Sequence, residues 1–278
     1  MARMPGDSGP AAAGTVLAVF AHPDDESLAC GGTLARLSDA GVRVVLLCAS
    51  RGEKGSVSDP ALVPDGDLGT VRTVELQEAA RVLGIAEIIM CDQPDGDLRW
   101  AHVHYLHLQI VLAIRRSRPD AVITFAEDGL YWHLDHIGVH ERTITAVKSL
   151  GAGAPPLYFV TMPPGVMQDV VETAMARGWA PSGSSFWGIA PEAFGDAAGT
   201  PTLTVDVRDW VPRKLAALRC HRTQMGAANP FTRLDQAEAQ RWLGVEHFRR
   251  APGSPAASVL ECIGEPANGS ALDIPRSV

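Results

Sequence analysis

Thr15-Val-Leu-Ala-Val-Phe-Ala-His-Pro-Asp-Asp-Glu26 decides the fold: an apolar run that stops abruptly in residues able to bind a metal. Residues 16–21 are continuously apolar rather than alternating, which predicts a strand buried on both faces of a parallel sheet. Ligands of open α/β sheets collect beyond the carboxyl ends of strands, so His22, Asp24 and Asp25 are placed to face the usual crevice. Pro23 keeps His22 out of helical geometry and fixes the turn. A second apolar run at residues 121–125 is followed by His133-Leu-Asp135-His136, so two strand ends deliver His and Asp. An imidazole, a carboxylate and a second imidazole, with a position left for water, make up a catalytic zinc site rather than a closed structural one.

Outward from that stretch, apolar periodicity predicts helices over 27–39, 70–83, 134–150, 166–177 and 210–224, with another marked by Val103, Leu106, Ile110, Ala113 and Ile114. Strands are predicted at 42–49, 86–91, 157–162 and 202–207. This alternation implies a Rossmann-like, doubly wound, mostly parallel α/β sheet flanked by helices, with strand 121–125 beside strand 16–21 at the switch point. Gly31-Gly32 weakens the first helix and points to close approach of a ligand or strand. Residues 1–14 read as a flexible lead-in, 15–250 as a single domain and 251–278 as a poorly ordered tail. Loop 50–69 lies at the rim that carries His22, and loop 178–201, with Phe186, Trp187 and Phe194, is placed to cover the site.

Composition narrows the function. A net charge of −8 without a long basic run argues against nucleic acid. Five scattered cysteines with no Cys-x-x-Cys pair suit a reduced, cytoplasmic protein and exclude a thiolate zinc knuckle. The apolar stretch at 15–21 is too short to span a membrane. No Gly-x-Gly-x-x-Gly follows the first strand, so the dinucleotide fingerprint is missing, and neither the carboxylates of a two-metal phosphohydrolase nor its phosphate loop are evident. His102, His104 and His107 diverge along their helix and read as packing or solvated groups. His133, His136 and His140 could share a helix face, but one face cannot aim all three at a single ion. His136, at the helix start, is the best ligand, with His133 beside it and His140 structural.

The set Ala21-His-Pro-Asp-Asp-Glu26, Gly31-Gly-Thr33, Arg51-Gly-Glu-Lys-Gly55, Arg72 with Glu75, Pro94-Asp-Gly96 and His133-Leu-Asp-His136 resembles the PIG-L/LmbE-like zinc-dependent N-deacetylases. His221-Arg-Thr-Gln224 extends the resemblance, which covers most of residues 15–225. It implies the same α/β architecture and a hydrolase that removes acetyl from a GlcNAc-type sugar. Cleavage of a mycothiol-type conjugate or another N-acyl product is the alternative, and a metal-binding protein without activity the remote one. His22, Asp25 and His136 would hold zinc, or iron(II), which suits the same ligands. Asp24 would be the general base, and His133, kept cationic by Asp135, would stabilise the oxyanion. Arg72 and Asp95 would grip substrate hydroxyls. The expected partner is a small N-acetylated sugar, with homo-oligomerisation left open.

Overall fold

Residues 14–179, 190–195, 199–226, 229–255 and 258–267 are described by a computed structural model. The strands are β1 (Thr15–Phe20), β2 (Arg43–Ser50), β3 (Glu87–Gln93), β4 (Ala121–Phe125), β5 (Leu157–Thr161), β6 (Leu203–Asp206), β7 (Val245–Arg250) and β8 (Glu265–Pro266). The helices are α1 (Asp25–Asp39), α2 (Leu68–Leu83), α3 (Val103–Ser117), the one-turn α4 (Gly129–Trp132), α5 (Leu134–Ser149), α6 (Val166–Ala176), α7 (Val211–Cys220) and α8 (Gln236–Leu243).

The strands form one sheet in the order β3-β2-β1-β4-β5-β7-β6-β8. From β3 to β5 every pairing is parallel. Residues 16–21 are fully buried, as the unbroken apolar run requires. Successive crossovers run outward from β1 to β3, then return to β4 and continue to β5. Right-handed crossovers therefore set α1 and α2 on one face and α3 and α5 on the other. The direction reverses between β1 and β4, which places a crevice at their carboxyl ends, where His22 and His136 lie.

The far side of the sheet differs from the sequence pattern. β7 runs antiparallel to β5 and β6, and β8 antiparallel to β6. Neither α8 nor β7 shows as an apolar run, because β7 buries charged Glu246 in an ion pair with Lys214 at 2.6 Å. Glu246 also explains Gly31-Gly32: α1 is kinked at Cys30, and the freed N–H groups of Gly32 and Thr33 donate to this carboxylate at 3.0 and 2.7 Å. A Cβ on Gly32 would sit 2.6 Å from Val207, so the close approach is of protein to protein. Packing continues past residue 250, where the domain was expected to end. Leu260 is fully buried, and the Tyr158 hydroxyl donates to Glu261 at 2.9 Å. Of the covering loop, Phe194 is buried with its ring 5.2 Å from that of Tyr131, whereas Phe186 and Trp187 lie outside the described residues. None of the described helices is long and apolar enough to cross a membrane.

Candidate active site

β1 ends at Phe20, and the next residues turn sharply so that His22 and Asp25 meet across the crevice from His136 in the first turn of α5. His136 Nε2 lies 3.1 Å from Asp25 Oδ1 and 3.3 Å from His22 Nδ1, and His22 Nδ1 lies 3.5 Å from Asp25 Oδ2. The outer nitrogens fix the tautomers. His136 Nδ1 faces the Gly129 carbonyl at 3.0 Å, so it carries a proton and Nε2 is the atom left to ligate a metal. His22 Nε2 lies 3.1 Å from both Asp95 Oδ1 and Asp135 Oδ2, which hold a proton there, so Nδ1 is the atom left to ligate a metal once the proton it shares with Asp25 is displaced. Two imidazole nitrogens thus face the Asp25 carboxylate, each imidazole braced from behind as metal-ligating histidines are. Tetrahedral zinc with bonds of about 2.0–2.1 Å sets neighbouring donors about 3.3 Å apart, close to the spacing found.

The electrostatics favour positive charge at this spot. Burial opposes protonation of His22, but its hydrogen bonds to Asp135, Asp25 and Asp95 outweigh burial and hold its pKa well above the usual histidine range. Burial likewise works against the charge on Asp25, yet His136 and His22 hold it well below the carboxylate range. The Phe125 ring stacks on His136 at 4.0 Å, and Gly129, at φ 57°, lets the backbone approach where a Cβ would sit 2.8 Å from that of His136. The ring nitrogens of His22, His133 and His136 also fall within reach of one ion, as do the donors of His22, Asp95 and Asp135. In the second combination His22 would offer the edge whose proton faces Asp95 and Asp135.

Asp24 sits beside this cluster with its carboxylate only partly buried. Burial pushes its carboxyl up to about 6 against the pull of the Arg72 guanidinium, and the charge on Asp25 adds to the rise. Arg72 turns inward rather than toward solvent: Nη1 donates to the Gly52 carbonyl at 2.9 Å, and Nη2 to the Pro23 carbonyl at 2.6 Å and Asp24 Oδ2 at 3.1 Å. Asp95 is similarly engaged. One oxygen faces His22, the other accepts the Lys54 N–H at 2.8 Å, and its hydrogen bond with His22 helps to hold its pKa below the carboxylate range against burial. Both residues, expected to grip sugar hydroxyls, thus make contacts within the site. Glu75, a neighbour of Arg72 by spacing, instead accepts from the N–H and hydroxyl of Thr223.

The expected Asp135–His133 pair is not formed. The Asp135 carboxylate accepts the N–H groups of Gly96 at 2.7 Å and Leu98 at 2.9 Å and braces His22. His133 instead caps α5, its Nδ1 accepting the Asp135 N–H at 3.3 Å. Burial and the charges of His136 and His22 push its pKa down to about 4, so it is neutral, with its proton on Nε2. His140 is tied to the Phe125 carbonyl at 2.8 Å, a structural contact. Two groups went unread as partners in the sequence: Glu26, fully buried, accepts from Ser27 Oγ and lies 2.9 Å from His221 Nε2. Each favours charge on the other against burial, lowering the Glu26 pKa and raising that of His221.

The family model PIG-L, described as GlcNAc-PI de-N-acetylase, matches residues 17–147. A 1D-myo-inositol 2-acetamido-2-deoxy-alpha-D-glucopyranoside deacetylase of Kineococcus radiotolerans is 33% identical over 286 residues, covering 86% of this chain and 77% of the relative. Among solved structures, N,N'-diacetylchitobiose deacetylase from Pyrococcus horikoshii superimposes with a TM-score of 0.58 at 24% identity, over 87% of each chain. The 4-carboxy-2-hydroxymuconate hydratase of Pseudomonas putida KT2440 does so with a TM-score of 0.60 at 20% identity, covering 88% of this chain and 99% of its own. A deacetylase and a hydratase share the fold, so the fold by itself does not choose the reaction.

Proposed function

The chain belongs to the PIG-L family of de-N-acetylases, and we propose that it hydrolyses the acetamide of a 2-acetamido-2-deoxyglucoside with zinc held by His22, Asp25 and His136. The observation that carries this is the convergence of His22 Nδ1 and His136 Nε2 on the Asp25 carboxylate. Zinc bound there would polarise the acetyl carbonyl and acidify water. The remaining chemistry belongs to the side chains. Asp24 takes the proton of the attacking water as its oxygen bonds to the acetyl carbon, and a pKa of about 6 leaves it ionised at neutrality yet basic enough to act. Neutral His133 donates its Nε2–H to the acetyl oxygen as negative charge gathers there. Asp24 then returns the proton to the sugar nitrogen, the C–N bond breaks, and acetate and free amine leave. Arg72 and Asp95 act at one remove, Arg72 by aiming Asp24 and Asp95 by holding His22.

The glucosaminyl-inositol substrate in the name of the Kineococcus radiotolerans relative sets the first compound to try. Free acetate should appear when the purified protein meets 2-acetamido-2-deoxyglucosyl inositol, should cease after chelation and should return with zinc. Acetate release that survives complete removal of metal would end this assignment.

A further inference from the structure

Asp24 holds a backbone conformation that L residues rarely adopt, with φ 120° and ψ −26°. A carboxylate at such a position is aimed differently from one in extended or helical backbone, so something must hold the chain there. The Asp24 N–H donates to Glu26 Oε2 at 3.1 Å. The other oxygen of Glu26 accepts from Ser27 Oγ at 2.6 Å and lies 2.9 Å from His221 Nε2. Both Glu26 and His221 are fully buried, and His221 Nδ1 has no partner among the described residues, so Glu26 is the hydrogen-bond anchor of this imidazole. His221 stands where α7 gives way to irregular chain, and its own backbone carbonyl accepts the N–H groups of Gln224 and Met225. The imidazole is therefore fixed from its own side before it reaches across 195 residues of sequence to Glu26.

We propose that Glu26 and His221 are positioning residues for the base: together they lock the backbone of Asp24 so that its carboxylate points at the reacting water. Arg72 holds the other end of the same residue, through Asp24 Oδ2. This rests on Asp24 being the base. The hydrogen bond that joins this pair to Asp24 is a single N–H, and the charge on His221 also acts on the Asp24 carboxylate.

The test compares Glu26→Ala, Glu26→Gln and Asp24→Asn, singly and as the Asp24→Asn/Glu26→Ala double variant, each loaded with zinc and assayed by acetate release. Misplacing a reacting group by about 1 Å costs on the order of a hundredfold, so Glu26→Ala should lose about ten- to a hundredfold in kcat with KM and bound zinc unchanged. Glu26→Gln keeps a carbonyl to accept the Asp24 N–H and should stay within about threefold of the parent. In the Asp24→Asn background Glu26→Ala should do nothing further, because the carboxylate it positions is gone. Should Glu26→Ala fail to fold, His221→Leu and His221→Gln supply the same pair of readings. Unchanged kcat, loss only through lost zinc, or an additive loss in the Asp24→Asn background would each overturn the positioning role. Full activity in Asp24→Asn alone would instead remove the base assignment, so the two failures are told apart.

Discussion

Asp24 is pulled two ways, upward in pKa by burial and by the charge of Asp25, and downward by Arg72. A base works only when ionised, so its raised pKa moves the acid limb of kcat/KM from near 4 to about 6, and activity should fall as pH drops through that value. Arg72→Ala removes the opposing influence, so the limb should move to still higher pH while kcat falls. A pH–rate profile of both proteins checks this, and a limb that stays put in Arg72→Ala would break the link between the two side chains. His133, neutral because burial holds it near 4, contributes no basic limb. At this scale the sequence was legible where chemistry follows a strand end within a few residues, as with His22, Asp24, Asp25 and His136. It was not legible where a partner is chosen in space: Arg72 reaches Pro23 across 49 positions, and Asp135, one residue from His136, turns to the 96–98 backbone rather than to His133.

The elements from β1 to α6 follow their apolar periods closely, and those beyond residue 225 do not. Helix α8 was passed over although its start carries a local signature. Asp235 accepts the Glu238 N–H at 2.9 Å and Glu238 accepts that of Asp235 at 3.1 Å, the reciprocal cap that Asp-x-x-Glu spells in sequence. β7 escaped for the opposite reason, because buried charge at Glu246 interrupts the alternation that marks a strand. The cap offers a clean check on α8. Asp235→Ala should destabilise the protein by about 1 kcal/mol, roughly 2–4 °C in Tm for a chain of this size, and leave kcat and KM alone since the cap is exposed and takes no part in the site. Thermal unfolding together with steady-state kinetics reads both. An unchanged Tm would mean that α8 is held by the packing of Trp242 and Leu243 alone.

For the molecule as a whole, the crevice gathers Asp25, Asp95 and Asp135 around one imidazole, an arrangement tolerable in a buried place only when a cation shares it. In metal-free protein the proton on His22 is that cation. Its folded pKa lies well above its unfolded value of about 6.5, so its stabilising contribution is full below about 6.5 and disappears as pH rises through the folded pKa. A metal ion at the same point replaces the proton and must expel it, so metal competes poorly at low pH and freely at high pH. Because a ligand that binds only the folded state stabilises it as the logarithm of one plus the ratio of free ligand to its Kd, the gap in Tm between zinc-loaded and chelated protein should widen steadily from about pH 6 to about pH 8. The same series in His136→Ala should show a much smaller gap at every pH, since one of the two imidazoles facing Asp25 is gone. Scanning calorimetry at fixed free zinc measures the gap directly, and one that stays constant with pH would show that proton and metal do not share the site.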